Sequence, residues 1–284
     1  MISFIILNYK SLNDTLTCID SIKKINSKKQ CSIIVVDNNS TNPEEQKIIK
    51  KTGVDFIKLS DNVGFARGNN AGCEYAIKKY NPDFLCVLNS DIIINQKDFI
   101  NQIYKLYSKY EFDVLGPRIL PDISESNNPF PAYKTLKEVD DKIKYTKKII
   151  KIYENPVLRF LLKAYLNLKF FIRPKKQSCI VEEDVINQPL HGCALIFSKK
   201  YYKKYHDIFY NKTFLFHEEE FLYYRCMKDN LLFLYSPAIE LIHLEGQSLN
   251  KEFNNDYKRI IFRNREILKS LEILKNVMEE EKSI

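Results

Sequence analysis

The chain has 284 residues, 45% of them hydrophobic and 28% charged, which suffices for a sizeable core in one catalytic domain with additions. There is no apolar run of about eighteen residues, and residues 1–7 lack a basic leader, so we predict neither a membrane-spanning helix nor a signal peptide. The seven cysteines show no metal-type spacing, and several fall in predicted strands or helices. They therefore indicate buried, reduced thiols in a cytoplasmic protein rather than a disulfide framework.

Three short apolar runs end in polar clusters. Residues 2–7, 33–36 and 84–88 read as buried strands, and residues 14–24 between the first two have the apolar spacing of a helix. Strand, helix and strand in this order predict a βαβ unit and a mostly parallel sheet. Ligands of such sheets bind at the carboxyl ends of the strands. The polar residues expected there are Asn8, Tyr9, Asp37, Asn39, Asn89, Ser90 and Asp91.

A glycine-rich segment at 61–72 precedes a predicted helix that runs towards Lys79. Gly64, Gly68 and Gly72 would permit close approach of the backbone, and a helix amino terminus suits a phosphate or a sugar hydroxyl. The alternative is a glycine-rich turn that only caps the helix. Candidate ligand contacts in this segment are Asn62, Gly64, Phe65, Arg67 and Asn70.

These segments together resemble the family 2 glycosyltransferases, and most of all the bacterial rhamnosyltransferase-like group of surface polysaccharide synthesis. The resemblance rests on the motifs at 5–9, 35–40, 62–66 and 89–91, and it covers about residues 1–120 and 188–248. It implies the α/β GT-A fold, a Rossmann-like and mostly parallel central sheet flanked by helices.

The resemblance also implies a donor site for a UDP- or dTDP-sugar. Asp37 would contact the base and the ribose, and Asn8 and Tyr9 would line the base pocket. At the first position of the family's metal motif this chain departs from the pattern and has Asn89. It keeps Asp91 at the position that contacts Mg²⁺ or Mn²⁺. His243 would be a second metal ligand or bind the diphosphate.

Two further segments correspond to the acceptor half of the family's site. Residues 188–193 resemble the segment that shapes the sugar and acceptor pocket, which assigns His191, Gly192 and Cys193 to it. Glu219 corresponds to the general base of inverting transfer, with Glu218 beside it. Repulsion among the carboxylates of residues 218–220 should raise at least one pKa. The alternative is an acidic first helical turn, which the helix dipole favours.

The basic charge is concentrated in an insert. Residues 132–176 contain thirteen Lys or Arg and four Asp or Glu, although the whole chain has a net charge of only +8. Within the insert, residues 157–173 read as an apolar and aromatic helix with interspersed cations, which is typical of helices bound to an anionic membrane surface. The alternatives are packing on the catalytic domain or in a homodimer. No nucleic-acid motif accompanies the charge.

The resulting organisation has four parts: a nucleotide-sugar-binding half (1–120), a basic helical insert (121–187), an acceptor half (188–250) and a helical tail (251–284). The apolar face of the tail should pack on the core, a second copy or lipid. The predicted activity is inverting sugar transfer to a lipid-linked or polysaccharide acceptor at the inner face of the cell membrane. A sugar-1-phosphate nucleotidyltransferase would need a glycine- and arginine-rich loop after the first strand, which residues 8–11 lack. The other alternative is a non-catalytic nucleotide- or glycan-binding protein.

Overall fold

The structure is a computed structural model that describes residues 1–121, 128–129, 132–133, 135–169, 181–244 and 256–280. The side chains of residues 121 and 163–169 are outside this description. Residues 170–173, the predicted end of the insert helix, and residues 251–255 and 281–284, the two ends of the predicted tail, are also outside this description.

The first half of the chain forms the predicted βαβ arrangement. Its strands are β1 (Ile2–Asn8), β2 (Cys31–Asp37), β3 (Asp55–Lys58) and β4 (Phe84–Asn89), and its helices are α1 (Leu12–Lys23), α2 (Pro43–Lys51) and α3 (Phe65–Tyr80). The four strands are parallel and lie in the order β3–β2–β1–β4. Asn8 pairs with Asp37, and Leu7 with Asn89, so the carboxyl ends of β1, β2 and β4 meet at one edge.

Beyond β4 the sheet becomes mixed. The further strands are β5 (Ile92–Ile93), β6 (Val114–Pro121), β7 (Val185–Ile186), β8 (Ala194–Ser198) and β9 (Phe233–His243). β8 runs antiparallel to both β4 and β6, whereas β6 and β9 are parallel. β5 pairs antiparallel with β9 and sets Ile92 opposite His243. This pairing brings Asp91, the residue before β5, to the last residue of β9.

Side chains alternate between the two faces of β1 and supply two apolar clusters. Phe4 and Ile6 pack with α1 and with α4 (Phe99–Tyr110), whereas Ile5 packs with α3. The contact with α3 is close: a Cβ on Gly68 would lie 2.6 Å from Leu7 Cδ1, and a Cβ on Gly72 would lie 2.6 Å from Ile5 Cγ2. These two glycines therefore let α3 rest on the sheet, and the expectation that they admit a ligand is wrong.

The insert and the tail, predicted as separate segments, pack together. The insert contains α5 (Leu136–Glu154) and α6 (Pro156–Lys169), and the tail is α9 (Asp256–Glu280). Between α6 and α9 the chain forms α7 (Lys199–Lys204) and α8 (Glu218–Lys228). Val139 and Ile143 of α5 share a buried cluster with Leu271 and Leu274 of α9 and with Phe221 of α8. The apolar face of the tail is thus covered by the protein itself. Among the described helices, none is long and apolar enough to cross a bilayer.

Candidate active site

Asn8 and Asp37 stand at the predicted sheet edge, but both side chains are fully buried. Asp37 accepts hydrogen bonds from Ser40 Oγ (2.9 Å) and Thr41 Oγ1 (2.7 Å). Asn8 donates through Nδ2 to Asp37 Oδ1 (3.3 Å) and accepts at Oδ1 from Thr15 Oγ1 (2.8 Å). Buried polar groups with satisfied bonds hold local structure. These bonds fix the loop after β2, and the predicted contacts of Asn8 and Asp37 with the base stay predictions.

Tyr9 and Asn39 are the more accessible residues of this region. Asn39 is exposed and adopts a left-handed backbone, with φ of 57°. Tyr9 is half-buried, and the Lys10 ammonium lies 5.0 Å from the centre of its ring. Of the predicted base-pocket residues, these two are positioned where a planar or hydroxyl-bearing ligand can reach them.

Asn38 is a residue that the sequence analysis did not single out. Its Oδ1 accepts from Val63 N (2.9 Å), and its Nδ2 donates to Asn62 Oδ1 (2.8 Å). Asn62 Oδ1 also accepts from Gly64 N (3.1 Å), so this predicted donor-binding atom is already engaged. Asn38 thus ties the loop after β2 to the turn before α3. The sequence contained one indication that Asn38 matters, because Asn38 stands in the polar cluster that follows a predicted strand.

The end of β4 is tied to both of its neighbours. Asn89 N donates to Cys193 O (2.8 Å), and Ser90 Oγ lies 2.9 Å from Ser11 Oγ in the loop after β1. The side chains of Asn89 and Ser90 are half-buried. The backbone of Cys193 therefore adjoins the predicted donor residues of β4, whereas its side chain is 1% exposed and belongs to the hydrophobic core.

The amino terminus of α3 is covered by protein. Phe65 N donates to Phe214 O (2.8 Å), and the Asn70 side chain donates to and accepts from the backbone of Phe209 (2.8 and 2.9 Å). These bonds use groups that the sequence analysis assigned to a phosphate or a sugar. Phe65 and Asn70 thus dock the loop before α8 on α3, while Arg67 is exposed, and the donor-binding roles of these three residues stay predictions.

Gly64→Ala is expected to destabilise the fold more than Gly53→Ala. Both glycines have positive φ (86° and 79°), and Gly64 combines it with a ψ of −174°, a conformation that is essentially restricted to glycine and costs other residues about 1–3 kcal/mol. A Cβ on Gly64 would also lie 2.2 Å from Phe214 O, whereas nothing lies within 4 Å of a Cβ on Gly53. Urea unfolding of both variants measures the difference. Equal losses of unfolding free energy would show that the Phe214 loop does not press on Gly64.

Asp91 and His243, the two predicted metal ligands, are brought together by the β5–β9 pairing. His243 Nε2 lies 3.3 Å from Asp91 Oδ1, and both residues are largely buried. His243 Nδ1 is buried without a hydrogen-bond partner. The two donor atoms therefore face one another at the carboxyl edge of the sheet.

Asp91 supplies the oxygen ligand that a hard divalent cation prefers, and His243 Nε2 adds an imidazole nitrogen 3.3 Å from it. A Mg²⁺ ion is commonly bound through one or two carboxylates, with water and substrate phosphate completing the shell. Within the described residues no cluster of three or more His, Cys, Asp or Glu residues forms a fuller site. Asp91 and His243 are therefore the residues that would hold Mg²⁺ or Mn²⁺.

His191 lies beside this pair, and its ring centre is 5.9 Å from that of His243. Its backbone N donates to Asn128 Oδ1 (2.6 Å), and its Nδ1 accepts from Cys193 N (3.1 Å). Burial and the charge of His243 lower the pKa of His191 to about 4, so the ring is neutral at physiological pH. The sequence analysis did not predict a role for Asn128, because no motif marks it. Its side chain links this turn to β6, since its Nδ2 also donates to Pro117 O (2.8 Å).

The three consecutive glutamates at the start of α8 have different surroundings. Glu218 is buried and accepts from Thr213 Oγ1 (3.3 Å), and Glu220 is buried with its Oε1 2.9 Å from His217 Nδ1. Glu219 is half-buried and the most accessible of the three. Burial and then the charge of Glu219 raise the pKa of Glu218 to about 8. Burial and then the charge of Glu220 raise the pKa of Glu219 to about 7. The predicted rise in pKa is confirmed, although burial is its main cause.

Glu219 faces the turn that carries His191. A Cβ on Gly192 would lie 3.4 Å from Glu219 Oε2, so the carboxylate rests against the glycine backbone. Phe216 and His217, the two residues before α8, both have left-handed backbones (φ of 70° and 69°), which sets the direction of the helix start. The turn 191–192 therefore contacts both His243 of the Asp91–His243 pair and a carboxylate whose pKa is raised to about 7.

An α/β domain with this sheet order and with polar residues at its carboxyl edge resembles the GT-A fold of glycosyltransferases. Residues 3–179 match the family model described as Glycosyl transferase family 2. The model covers more than half of the chain, and the chain belongs to this family.

Solved structures of S. aureus TarS have a similar fold. TarS 1–349 in complex with UDP is 15% identical, with a TM-score of 0.55 over 93% of this chain and 64% of that chain. The complex with UDP-GlcNAc is 16% identical, with a TM-score of 0.53 over 94% and 66%. Against another TarS structure the chain covers only 36% of the other chain. This chain thus spans less than two thirds of the first TarS structures it matches. No curated protein matches it.

Proposed function

We propose that the protein is an inverting glycosyltransferase. It moves a hexosyl or rhamnosyl unit from a UDP- or dTDP-sugar to a hydroxyl of a lipid-linked or polysaccharide acceptor in cell-surface glycan synthesis. Family membership and the TarS complexes with UDP and UDP-GlcNAc support a nucleotide-sugar donor.

The observation that carries this proposal is the arrangement around the turn 191–192. His191 lies beside His243, which is 3.3 Å from Asp91. Glu219 rests against Gly192, the next residue of the same turn. Transfer from a nucleotide diphosphate needs a means of stabilising the leaving diphosphate and a base for the incoming hydroxyl, and these two groups offer both.

In the proposed reaction, Glu219 accepts the proton of the acceptor hydroxyl. The hydroxyl oxygen forms a bond to the anomeric carbon as the bond from that carbon to the diphosphate oxygen breaks, and the diphosphate leaves with the electron pair. A base contributes most when its pKa lies near the working pH, as that of Glu219 does. His191, which is neutral, can border the transferred sugar without repelling a cation.

Asp91 and His243 would hold Mg²⁺ or Mn²⁺ in this proposal. When bound, the cation would supply Lewis-acid stabilisation of the leaving diphosphate. The buried position of Asp91 keeps its carboxylate directed at His243 instead of bulk water. Asn89, the last residue of β4, and Ser90 directly precede Asp91 in the chain and would contact the ribose.

Transfer should rise with pH through about pH 7. Glu219 acts as a base only when deprotonated, and its pKa is raised to about 7. Single-turnover rates between pH 5.5 and 9 measure the profile. Glu218→Gln should keep the rise, because Glu218 is not the proposed proton acceptor. A flat profile for the parent protein would contradict the assignment.

The donor is tested by thermal unfolding in the presence of nucleotide sugars. A ligand at about a hundred times its Kd stabilises by about 2.7 kcal/mol. We expect UDP- or dTDP-sugars to raise the unfolding temperature, and Mn²⁺ to increase the effect, with GDP-sugars as the comparison. Stabilised mixtures are then supplied with candidate acceptors, and the product is followed by mass spectrometry. No stabilisation by any nucleotide sugar would refute the donor proposal; binding without any transfer would favour a non-catalytic protein.

The proposed location is the cytoplasm, at the inner face of the cell membrane, where nucleotide sugars and a lipid-linked acceptor meet. The concentration of positive charge in the insert supports this location, because the inner leaflet is anionic.

A further inference from the structure

The first two turns of α6 carry an exposed apolar surface. Val157, Leu158, Phe160 and Leu161 are 66%, 43%, 72% and 56% exposed, and we call them the α6 patch. Elsewhere in the described part of the chain, large exposed apolar side chains such as Ile48 and Met227 are isolated. Contiguous apolar patches on a protein surface mark interaction sites, whereas single exposed residues are ordinary.

The α6 patch remains exposed because α6 is fixed at its amino terminus by Asn155 and on its other face by Arg159. Asn155 Oδ1 caps α6 by accepting from Val157 N (2.9 Å) and Leu158 N (3.1 Å). Arg159 donates to Tyr153 O of α5 (2.9 Å), and its guanidinium lies 4.0 Å from the ring centre of Tyr257 in α9. Arg159 therefore anchors α6 to its neighbours, which corrects the expectation that it faces lipid.

A basic stripe on α5 accompanies the patch. Lys144, Lys148 and Lys151 are exposed and spaced so that they share one face of the helix, along with Tyr145, which is 56% exposed. Lys144 has an acidic partner, Asp141, at 3.7 Å. The stripe continues to the end of α5, where Asn155 joins it to α6. Exposed apolar side chains on one helix and exposed lysines on the helix before it are the composition of surfaces that enter the headgroup region of a bilayer.

We propose that the α6 patch and the lysines of α5 form a docking surface for an anionic lipid bilayer. Charge decides between lipid and a second copy of the chain. Two copies that meet through this surface would bring two strongly basic inserts together, each with thirteen Lys or Arg and four Asp or Glu. An anionic bilayer complements that charge and covers the apolar side chains at the same time.

The helices that carry and adjoin this surface also contact the segment that holds the proposed base, and the relevance of this contact to a lipid-linked acceptor rests on the proposed function. α5 packs through Val139 and Ile143 against Phe221, two residues after Glu219 in α8. Ser270 of α9 donates to Leu215 O (3.0 Å), in the loop that leads to α8. The helices that border the membrane surface therefore support the segment that carries the proposed base.

Flotation with vesicles tests the docking surface. We expect the parent protein to float with vesicles of phosphatidylglycerol and phosphatidylcholine, but not of phosphatidylcholine alone, and to be released by high salt. Phe160→Ser with Leu161→Ser should weaken binding at least tenfold, on the order of magnitude expected for apolar burial. Lys148→Gln with Lys151→Gln should weaken it about 30-fold, from the attraction of two basic residues to anionic lipid.

Matched variants control for general effects. Ile48→Ser with Met227→Ser removes exposed apolar side chains elsewhere, and Lys51→Gln with Lys203→Gln removes exposed lysines elsewhere; both pairs should float as the parent does. Unchanged unfolding temperatures establish that the variants fold. Equal flotation of all variants, or no flotation of the parent, overturns the proposal. So does a dimer, seen by light scattering, that Phe160→Ser with Leu161→Ser dissociates. Flotation does not require transfer, so its outcome is independent of the proposed activity.

Discussion

Glu219→Gln is expected to lower the turnover number by about 10²–10⁴-fold, the usual contribution of a general base. The amide keeps the shape of the side chain against Gly192 but cannot accept the proton of the acceptor. Donor affinity, measured by calorimetry, should change little, because Asp91 and His243, and not Glu219, form the proposed diphosphate site.

Glu218→Gln and Glu220→Gln are the matched controls for this prediction. Each removes a carboxylate from the same helical turn, but Glu218 is bonded to Thr213 and Glu220 is paired with His217. Both should retain substantially more activity than Glu219→Gln. A larger loss of activity in either control would assign the general base to that residue. The acceptor would then approach the helix start from another direction.

Asp91→Asn is expected to lower transfer by about 10³-fold or more, because removing a group that stabilises the developing charge is among the most costly changes in an active site. The fold should persist, since asparagine has nearly the same volume. A second measurement does not depend on activity: Mn²⁺ should increase the thermal stabilisation by UDP in the parent protein and not in Asp91→Asn.

Asp20→Asn serves as the control for Asp91→Asn, because Asp20 is an exposed carboxylate on α1. It should leave both the transfer and the Mn²⁺ effect unchanged. If Asp91→Asn transfers at the parent rate, or if the parent keeps full activity in excess EDTA, the metal assignment fails. The charge of the diphosphate would then have to be met by basic side chains.

Local sequence patterns predicted much of the parallel half of the fold. Short apolar runs identified β1, β2 and β4, and the polar clusters after them marked the sheet edge, because strand burial and strand ends depend mainly on nearby residues. The carboxyl cluster at 218–220 was predictable for the same reason, and the raised pKa of Glu219 agrees with that prediction. The helix in the tail followed from its apolar periodicity.

The roles of individual polar side chains were less predictable. Asn8, Asp37 and Asn70 stand in polar segments that suggest ligand contacts, yet their hydrogen-bonding groups are used within the protein. A sequence shows that a group can bond but not which partner reaches it first. That depends on loops distant in the chain, such as the one containing Phe209, which packs on α3.

Local periodicity and short motifs were sufficient to predict the fold class, the family and the residue types at the sheet edge. Which of those residues meet depends on contacts between distant segments of the folded chain. The two-residue strand β5 is too short to be recognised from its sequence, but its pairing with β9 joins Asp91 to His243. The packing of α9 on α5, and of Tyr257 under Arg159, likewise decided which side of α6 remains exposed. These contacts join segments that are far apart in the chain. Which segments pair depends on the free energy of burial and strand pairing and not on local conformational preferences.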